Sequence, residues 1–288
     1  MDLGLKGKVA VVTGGSRGVG RAIAASLLRE GARVMISARD PKRLEAARVA
    51  LAQETGGEVR ATAADLRHDT EARALIEATL KAFGRLDILV NNAATVMPAD
   101  FMTLTEERWS DVFEQKLNGY VRCLRYAIPA MKGRGWGRII NLSGLAAREG
   151  GSQTIPVGVN NVAVLNLTKS LAFALARDNI LVNAVVPYII NTDIQDETMR
   201  RLAGLTGRPE ADIRKERVAE LAVGRMGRPE EVADVVAFLA SALELRHRCR
   251  VACGRGRFPW HLKVNGATLG NACRRQPAPI KAGDRIIS

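Results

Sequence analysis

The sequence predicts an α/β protein: a single doubly wound domain in three layers, with a parallel sheet between two layers of helices. Three observations carry this. Short β-branched runs alternate with helical segments from residue 8 to residue 241. The first run leads into a glycine-rich turn, "VTGGSRGVGRAIA" (12–24), and a helix follows at once. Strands separated by helices run parallel, because each right-handed crossover returns the chain to the same end of the sheet.

The elements follow in order. "KVAVVTG" (8–14) reads as a buried strand that ends in glycine. A helix continues to Arg29 and stops at Gly31, and "ARVMIS" (32–37) is the next strand. Asp40-Pro41 starts a second helix, with aspartate as the cap and proline at the first helical position; it ends near Gly56-Gly57. "EVRATAAD" is strand-like, a helix runs from Thr70 to Gly84, and "LDILVNNA" (86–93) is a further strand. A helical region spans 105–131, then "GRIINLS" (137–143), a long helix from Pro156 to Arg177, and "ILVNAVVP" (180–187). The polar, charged span 188–227 interrupts the alternation, with helical patterns at 196–204 and 209–222. An insertion at the carboxyl end of a strand is where a substrate lid sits. "RPEEVADVVAFLAS" (228–241) is the last helix of the domain.

The 288 residues include 47% hydrophobic and 25% charged, an ordinary globular balance with room for a real core. Aromatics make up only 4%, which argues against a stacking platform for single-stranded nucleic acid. No apolar run is read as membrane-spanning, and "MDLGLKGK" lacks the apolar centre of a signal peptide. A cytoplasmic protein is the expectation. The net charge of +13 is concentrated: residues 241–288 hold ten Lys/Arg against Glu244 and Asp284, and three of the four cysteines. The chain therefore divides into a domain at 1–241 and an atypical basic tail at 242–288, whose composition predicts poor order.

A strand, a glycine turn and a helix amino-terminus in series make an anion site, since free backbone N–H groups and the positive helix end face the ligand. The spacing here, Thr13-Gly14-x-x-x-Gly18-x-Gly20, resembles that of the short-chain dehydrogenase/reductase family. Further motifs of that family occur in order: "AADL" around Asp65, "NNAA" at 91–94, "GRIINLS", "LVNAVVP" ending at Pro187, Thr192, and "RMGRPEEVA" at 225–233. The resemblance covers residues 6–241 and implies a Rossmann-like sheet that binds NAD(P)(H). It places Gly14, Ser16, Arg17, Gly18, Val19 and Gly20 along the adenosine phosphates. Asp65 and Leu66 would border the adenine, Asn91 and Ala93 the ribose, and Pro187, Ile190 and Thr192 the nicotinamide end. A carboxylate after the second strand would bind a ribose 2′-hydroxyl; Ala38 stands there, followed by Arg39. Arg39 and Arg17 can pair with a 2′-phosphate, which favours NADP(H), with NAD as the alternative.

The resemblance also implies a serine, a tyrosine, a lysine and an asparagine that handle the substrate oxygen and its proton. Aligned on "NNVAVLNLTKSLA" (160–172), the tyrosine position falls on Val157, the lysine on Asn161, the serine on Gly144 beside Ser143, and the asparagine on Lys116. Lys116 and Asn161 thus hold exchanged identities at positions that face one another in the family. Ser143, Lys116, Asn161 and Tyr188 are the candidates for chemistry, although a solvated helix lysine and a packed loop tyrosine are the plainer readings of Lys116 and Tyr188.

Three functions fit. One is an NADP(H)-dependent oxidoreductase acting on a carbonyl or alcohol through a rebuilt proton relay. Another is a cofactor-binding sensor or partner subunit without turnover. The third, and the weakest, is a nucleic-acid binder using the basic tail. The family also implies a homo-dimer or homo-tetramer built through its long helices. Nothing at 243–261 resembles the family's closing strand, so the sheet is expected to end on an open edge. Codons read one base later permit Ser-Ser-Ser-Val-Thr-Gly, which suggests a frameshift near residue 242. The tail's histidines and its Cys249/Cys253 pair are read as accidental rather than metal-binding.

Overall fold

The computed structural model describes residues 2–94 and 98–243, with the strand backbones at 251–252, 262–264 and 267–269. β1 (Val9–Thr13), β2 (Arg33–Ala38), β3 (Val59–Ala63), β4 (Ile88–Asn91), β5 (Gly137–Leu142) and β6 (Ile180–Val186) form one parallel sheet in the order β3-β2-β1-β4-β5-β6. The order reverses between β1 and β4, so a crevice opens at the carboxyl ends of these strands, where ligands bind in open α/β sheets.

Helices cover both faces. α1 (Gly18–Arg29) and α2 (Pro41–Thr55) lie on one, and α3 (Asp69–Phe83) lies on the other. Asp40 caps α2, its Oδ1 accepting from the amides of Lys42 and Arg43 at 3.0 and 3.1 Å. The region 105–131, read from sequence as helical, is helical with a π-turn inside it. α4 (Glu106–Phe113) leads into a π-turn at Glu114–Asn118, and α5 (Gly119–Lys132) continues beyond it. α6 (Ile155–Leu175) connects β5 to β6. The lid consists of α7 (Asp193–Thr206) and α8 (Glu210–Ala219), which bury Met199, Leu202 and Ile213 in a small cluster of their own. α9 (Pro229–Ala240) then packs beside α1.

Two expectations need correction. The sheet does not stop at β6: β7 (Val251–Ala252) pairs parallel with it through Val185↔Val251 and Val186↔Ala252. The pairing reaches only Val185 and Val186 of the seven residues of β6, so β7 covers the end of that edge and not its length. A small antiparallel pair follows, β8 (Leu262–Val264) with β9 (Ala267–Leu269). The remaining tail, including His247, His261 and the Cys249/Cys253 pair, lies outside the described residues. The second correction concerns hydropathy. The stretch Ile155–Asp178 is long and apolar enough to cross a membrane by length and composition, with mean hydropathy 1.2. Packing on the sheet accounts for only part of that composition, since 28% of the window is buried: Val164, Thr168 and Leu175 are buried, while Val159, Val162 and Phe173 are exposed.

Candidate cofactor and substrate site

A cavity of about 1120 Å³ occupies the crevice at the carboxyl ends of the strands and reaches under the lid. One end is the glycine turn after β1. Gly14 has φ +65, and a Cβ there would stand 2.9 Å from Asn92 Nδ2. A Cβ on Gly20 would lie 2.2 Å from the Gly14 carbonyl oxygen, so only glycine lets α1 start this close to the strand. Thr13 fastens the turn to β4: its Oγ1 accepts from the amides of Asn92 and Ala93 at 2.9 and 3.0 Å. The Asn92 side chain donates to the carbonyls of Thr13 and Gly14.

Ser16, Arg17, Val19, Arg39, Asp65, Leu66, Ala93, Pro187, Ile190 and Thr192 line the cavity along with Gly14 and Gly20, as the sequence suggests. Two expected residues do not. Gly18 is not part of the cavity lining; it has φ +53, and a Cβ there would stand 3.3 Å from Cγ2 of Thr192. Asn91 is 0% exposed inside the sheet, where its Nδ2 donates to Asn141 Oδ1 at 2.9 Å across the β4–β5 register. β4 ends at Asn91, and the next residue, Asn92, lies just past the strand and lines the cavity.

The other end holds a compact polar cluster. The Lys116 ammonium donates to Asn161 Oδ1 at 2.6 Å and to the Ser143 carbonyl at 3.0 Å. Ser143 Oγ donates to the Asn161 carbonyl at 3.0 Å. All three side chains line the cavity, and all three are buried. Lys116 is therefore not a solvated helix lysine: only 8% of it is exposed, because the π-turn carries it inward beside β5. Burial away from water pulls its pKa down to about 7. Tyr188 also lines the cavity, and its hydroxyl donates to Glu149 Oε2 at 3.1 Å. The structure thus brings Ser143, Lys116 and Asn161 into one hydrogen-bonded group and leaves Tyr188 on a separate part of the wall. Gly144 belongs to the same construction, since a Cβ there would meet Asn161 Nδ2 at 2.9 Å.

Residues 14–245 match the family model described as "Enoyl-(Acyl carrier protein) reductase". The chain belongs to the short-chain dehydrogenase/reductase family, and with it to the NAD(P)-dependent oxidoreductases. It is 32% identical over 243 residues to the 3-oxoacyl-[acyl-carrier-protein] reductase FabG of Aquifex aeolicus, covering 84% of this chain and 94% of that one. It is 34% identical over 232 residues to the short-chain reductase protein NovJ of Streptomyces niveus, covering 81% and 86%. The L-sorbose reductase of Gluconobacter frateurii, solved with NADPH and L-sorbose, superimposes with a TM-score of 0.82 at 31% identity, covering 94% of this chain and all of that one.

Some wall residues of this short-chain dehydrogenase/reductase escaped the sequence reading. Arg43 lies in the first turn of α2 beside Arg39, visible in the sequence only as one more helix arginine. Asn160 is 1% exposed and lines the cavity; its Nδ2 donates to the Val112 carbonyl at 2.5 Å, and its Oδ1 has no partner among the described residues. Gln195 Nε2, on the first turn of α7, is a second buried polar atom in the wall without a partner among the described residues. Doubled asparagines and a lone lid glutamine give no signal without the fold around them.

Proposed function

We propose that this protein binds NADP(H) in the crevice and transfers hydride between its nicotinamide and a small carbonyl or alcohol substrate, with Lys116 and Asn161 in charge of the substrate oxygen. The observation that carries the reading is continuity: one cavity joins the glycine turn to the Lys116–Asn161–Ser143 cluster. The residues fit the cofactor. The Gly14 and Gly20 cradle has no room for side chains, and the amides at the start of α1 suit a pyrophosphate. The orphan amide of Gln195 sits beside Thr192, where a carboxamide or phosphate oxygen would satisfy it. Arg17, Arg39 and Arg43 line the adenosine end, where the carboxylate of Asp40 is held by the amides of α2 and that of Asp65 by Arg67. That balance favours a 2′-phosphate over a bare ribose hydroxyl. The sorbose reductase bound to NADPH supports the same choice.

The bound cofactor would supply or accept the hydride. The chain's own residues handle the oxygen. Lys116 would hold a developing oxyanion in its protonated form and give up a proton as the alcohol forms, which a pKa of about 7 permits at neutral pH. Asn161 fixes the direction of the ammonium, and Ser143, whose own hydroxyl donates to the Asn161 carbonyl, is left to accept from the O–H of an alcohol substrate. Val157, which also lines the cavity, closes this end against water. The second reading, a cofactor-binding protein without turnover, rests on Val157 itself: valine has no proton to give where the family carries tyrosine.

Fluorescence titration with NADPH and NADH, followed by a carbonyl and alcohol turnover screen, decides between them. The expected result is tighter NADPH than NADH binding, with turnover that falls about 10²-fold or more in Lys116→Met and with NADPH affinity unchanged. Binding without turnover in the wild type, with activity appearing only in Val157→Tyr/Lys116→Asn/Asn161→Lys, supports the second reading instead.

A further inference from the structure

Arg17 and Glu197 are 180 residues apart in sequence and face each other across the cavity wall. Arg17 stands at the amino-terminus of α1, and Glu197 lies in the second turn of α7. Arg17 Nη1 donates to Glu197 Oε1 at 2.6 Å, with Nη2 at 3.5 Å from Oε2. The start of the lid rests on the phosphate turn here, with Thr192 packed against Gly18. The arginine best placed for a ligand phosphate is therefore already held by a carboxylate.

We propose that Glu197 sets how tightly this protein holds a phosphorylated nucleotide: it competes with the ligand's phosphate for Arg17 and passes to Arg201 when it loses. The proposal rests on the reading that Arg17 meets the cofactor's phosphates. A phosphate group is the stronger partner for a guanidinium, so binding breaks the bridge. It also leaves a carboxylate next to new negative charge, a repulsion that weakens binding. Glu197 has somewhere to go. Arg201 lies one turn further along α7, lines the same cavity, and makes no hydrogen bond or ion pair with the described residues. Glutamate four residues before arginine is the favourable order on a helix. Arg17 holds the Glu197 carboxyl below its ordinary pKa, and the charges of Arg200 and Arg201 act in the same direction. The carboxylate is thus charged and contested at neutral pH. Glu197 is in this sense an affinity-determining residue of the lid rather than a ligand of the cofactor.

The test is equilibrium titration of NADPH and NADH fluorescence with wild type, Glu197→Gln, Arg17→Ala and the double variant, each checked for folding by circular dichroism. Glu197→Gln keeps the side chain's shape and is expected to tighten NADPH binding three- to tenfold. In the Arg17→Ala background the same change is expected to do nothing. Equal tightening for both nucleotides supports competition at the pyrophosphate; tightening for NADPH alone supports competition at the 2′-phosphate. A Glu197→Gln variant that binds NADPH within twofold of wild type, or more weakly, overturns the proposal. So does a gain that persists without Arg17. Folded wild type that binds neither nucleotide removes this proposal together with the cofactor reading, whereas normal wild-type binding with an indifferent Glu197→Gln removes this proposal alone.

Discussion

At the scale of single residues, Lys116 decides most. A buried amine with only neutral acceptors around it gains from losing its proton, which is why its pKa falls to about 7. The unfolded chain returns this lysine to about 10.4. Between those values the unfolded state binds the extra proton, so stability rises with pH, by up to about 1.4 kcal/mol per unit from this one group. Urea unfolding between pH 6 and 9.5 is expected to show that rise in the wild type and to lack it in Lys116→Met. Equal slopes in the two proteins would mean that Lys116 is hydrated. The same scale shows what the sequence made legible. The proximity of Lys116 and Asn161 followed from the family resemblance, and the two side chains do touch. The depth of burial could not, because it depends on a π-turn that no side-chain pattern marks. Asn91 and Asn92 illustrate the limit: both are asparagine, and the end of β4 falls between them, leaving one inside the sheet and the other at the cavity.

Among the elements, the β1 turn and α1 are the least tolerant. A Cβ on Gly20 has the Gly14 carbonyl on one side and the Asn92 amide on the other, at 2.2 and 2.5 Å. Backbone cannot yield as a side-chain tip can. Gly20→Ala is expected to lower the thermal midpoint and to weaken NADPH binding at least 100-fold; calorimetry and titration on the same sample test both. A variant with an unchanged melt and full affinity would mean that the turn relaxes at little cost. These elements were well marked in the sequence, since strand, glycines and helix cap each leave a local signal. Asp40 and Pro41 placed the start of α2, and Gly84 the end of α3, for the same reason. The π-turn in 105–131 was hidden because α4 and α5 each keep a helical apolar period. The two-residue β7 was hidden because its pairing is dictated by the open edge of β6 rather than by its own composition.

For the whole molecule, the outer face of α6 matters most. Val159, Val162 and Phe173 are 45%, 50% and 54% exposed on a helix whose buried side carries Val164, Thr168 and Leu175. A row of this kind suits burial against a second copy. Light scattering behind size exclusion is expected to give a dimer or tetramer, and Val162→Glu/Phe173→Glu a smaller species. A wild-type monomer at micromolar concentration would refute the association. The strand alternation and the motif series made the architecture readable from end to end. The substrate was not readable, because the lid that would select it carries a mixture of charges with no spacing rule.

The contact between Lys116 and Asn161 also limits what either position tolerates. A lysine at 161 would put two ammonium groups in a space that barely accommodates one. An asparagine at 116 would leave two amides, which can hydrogen-bond each other and carry no charge. The second change is far less costly. This corner of the cavity can therefore lose its amine and stay folded more readily than it can gain another.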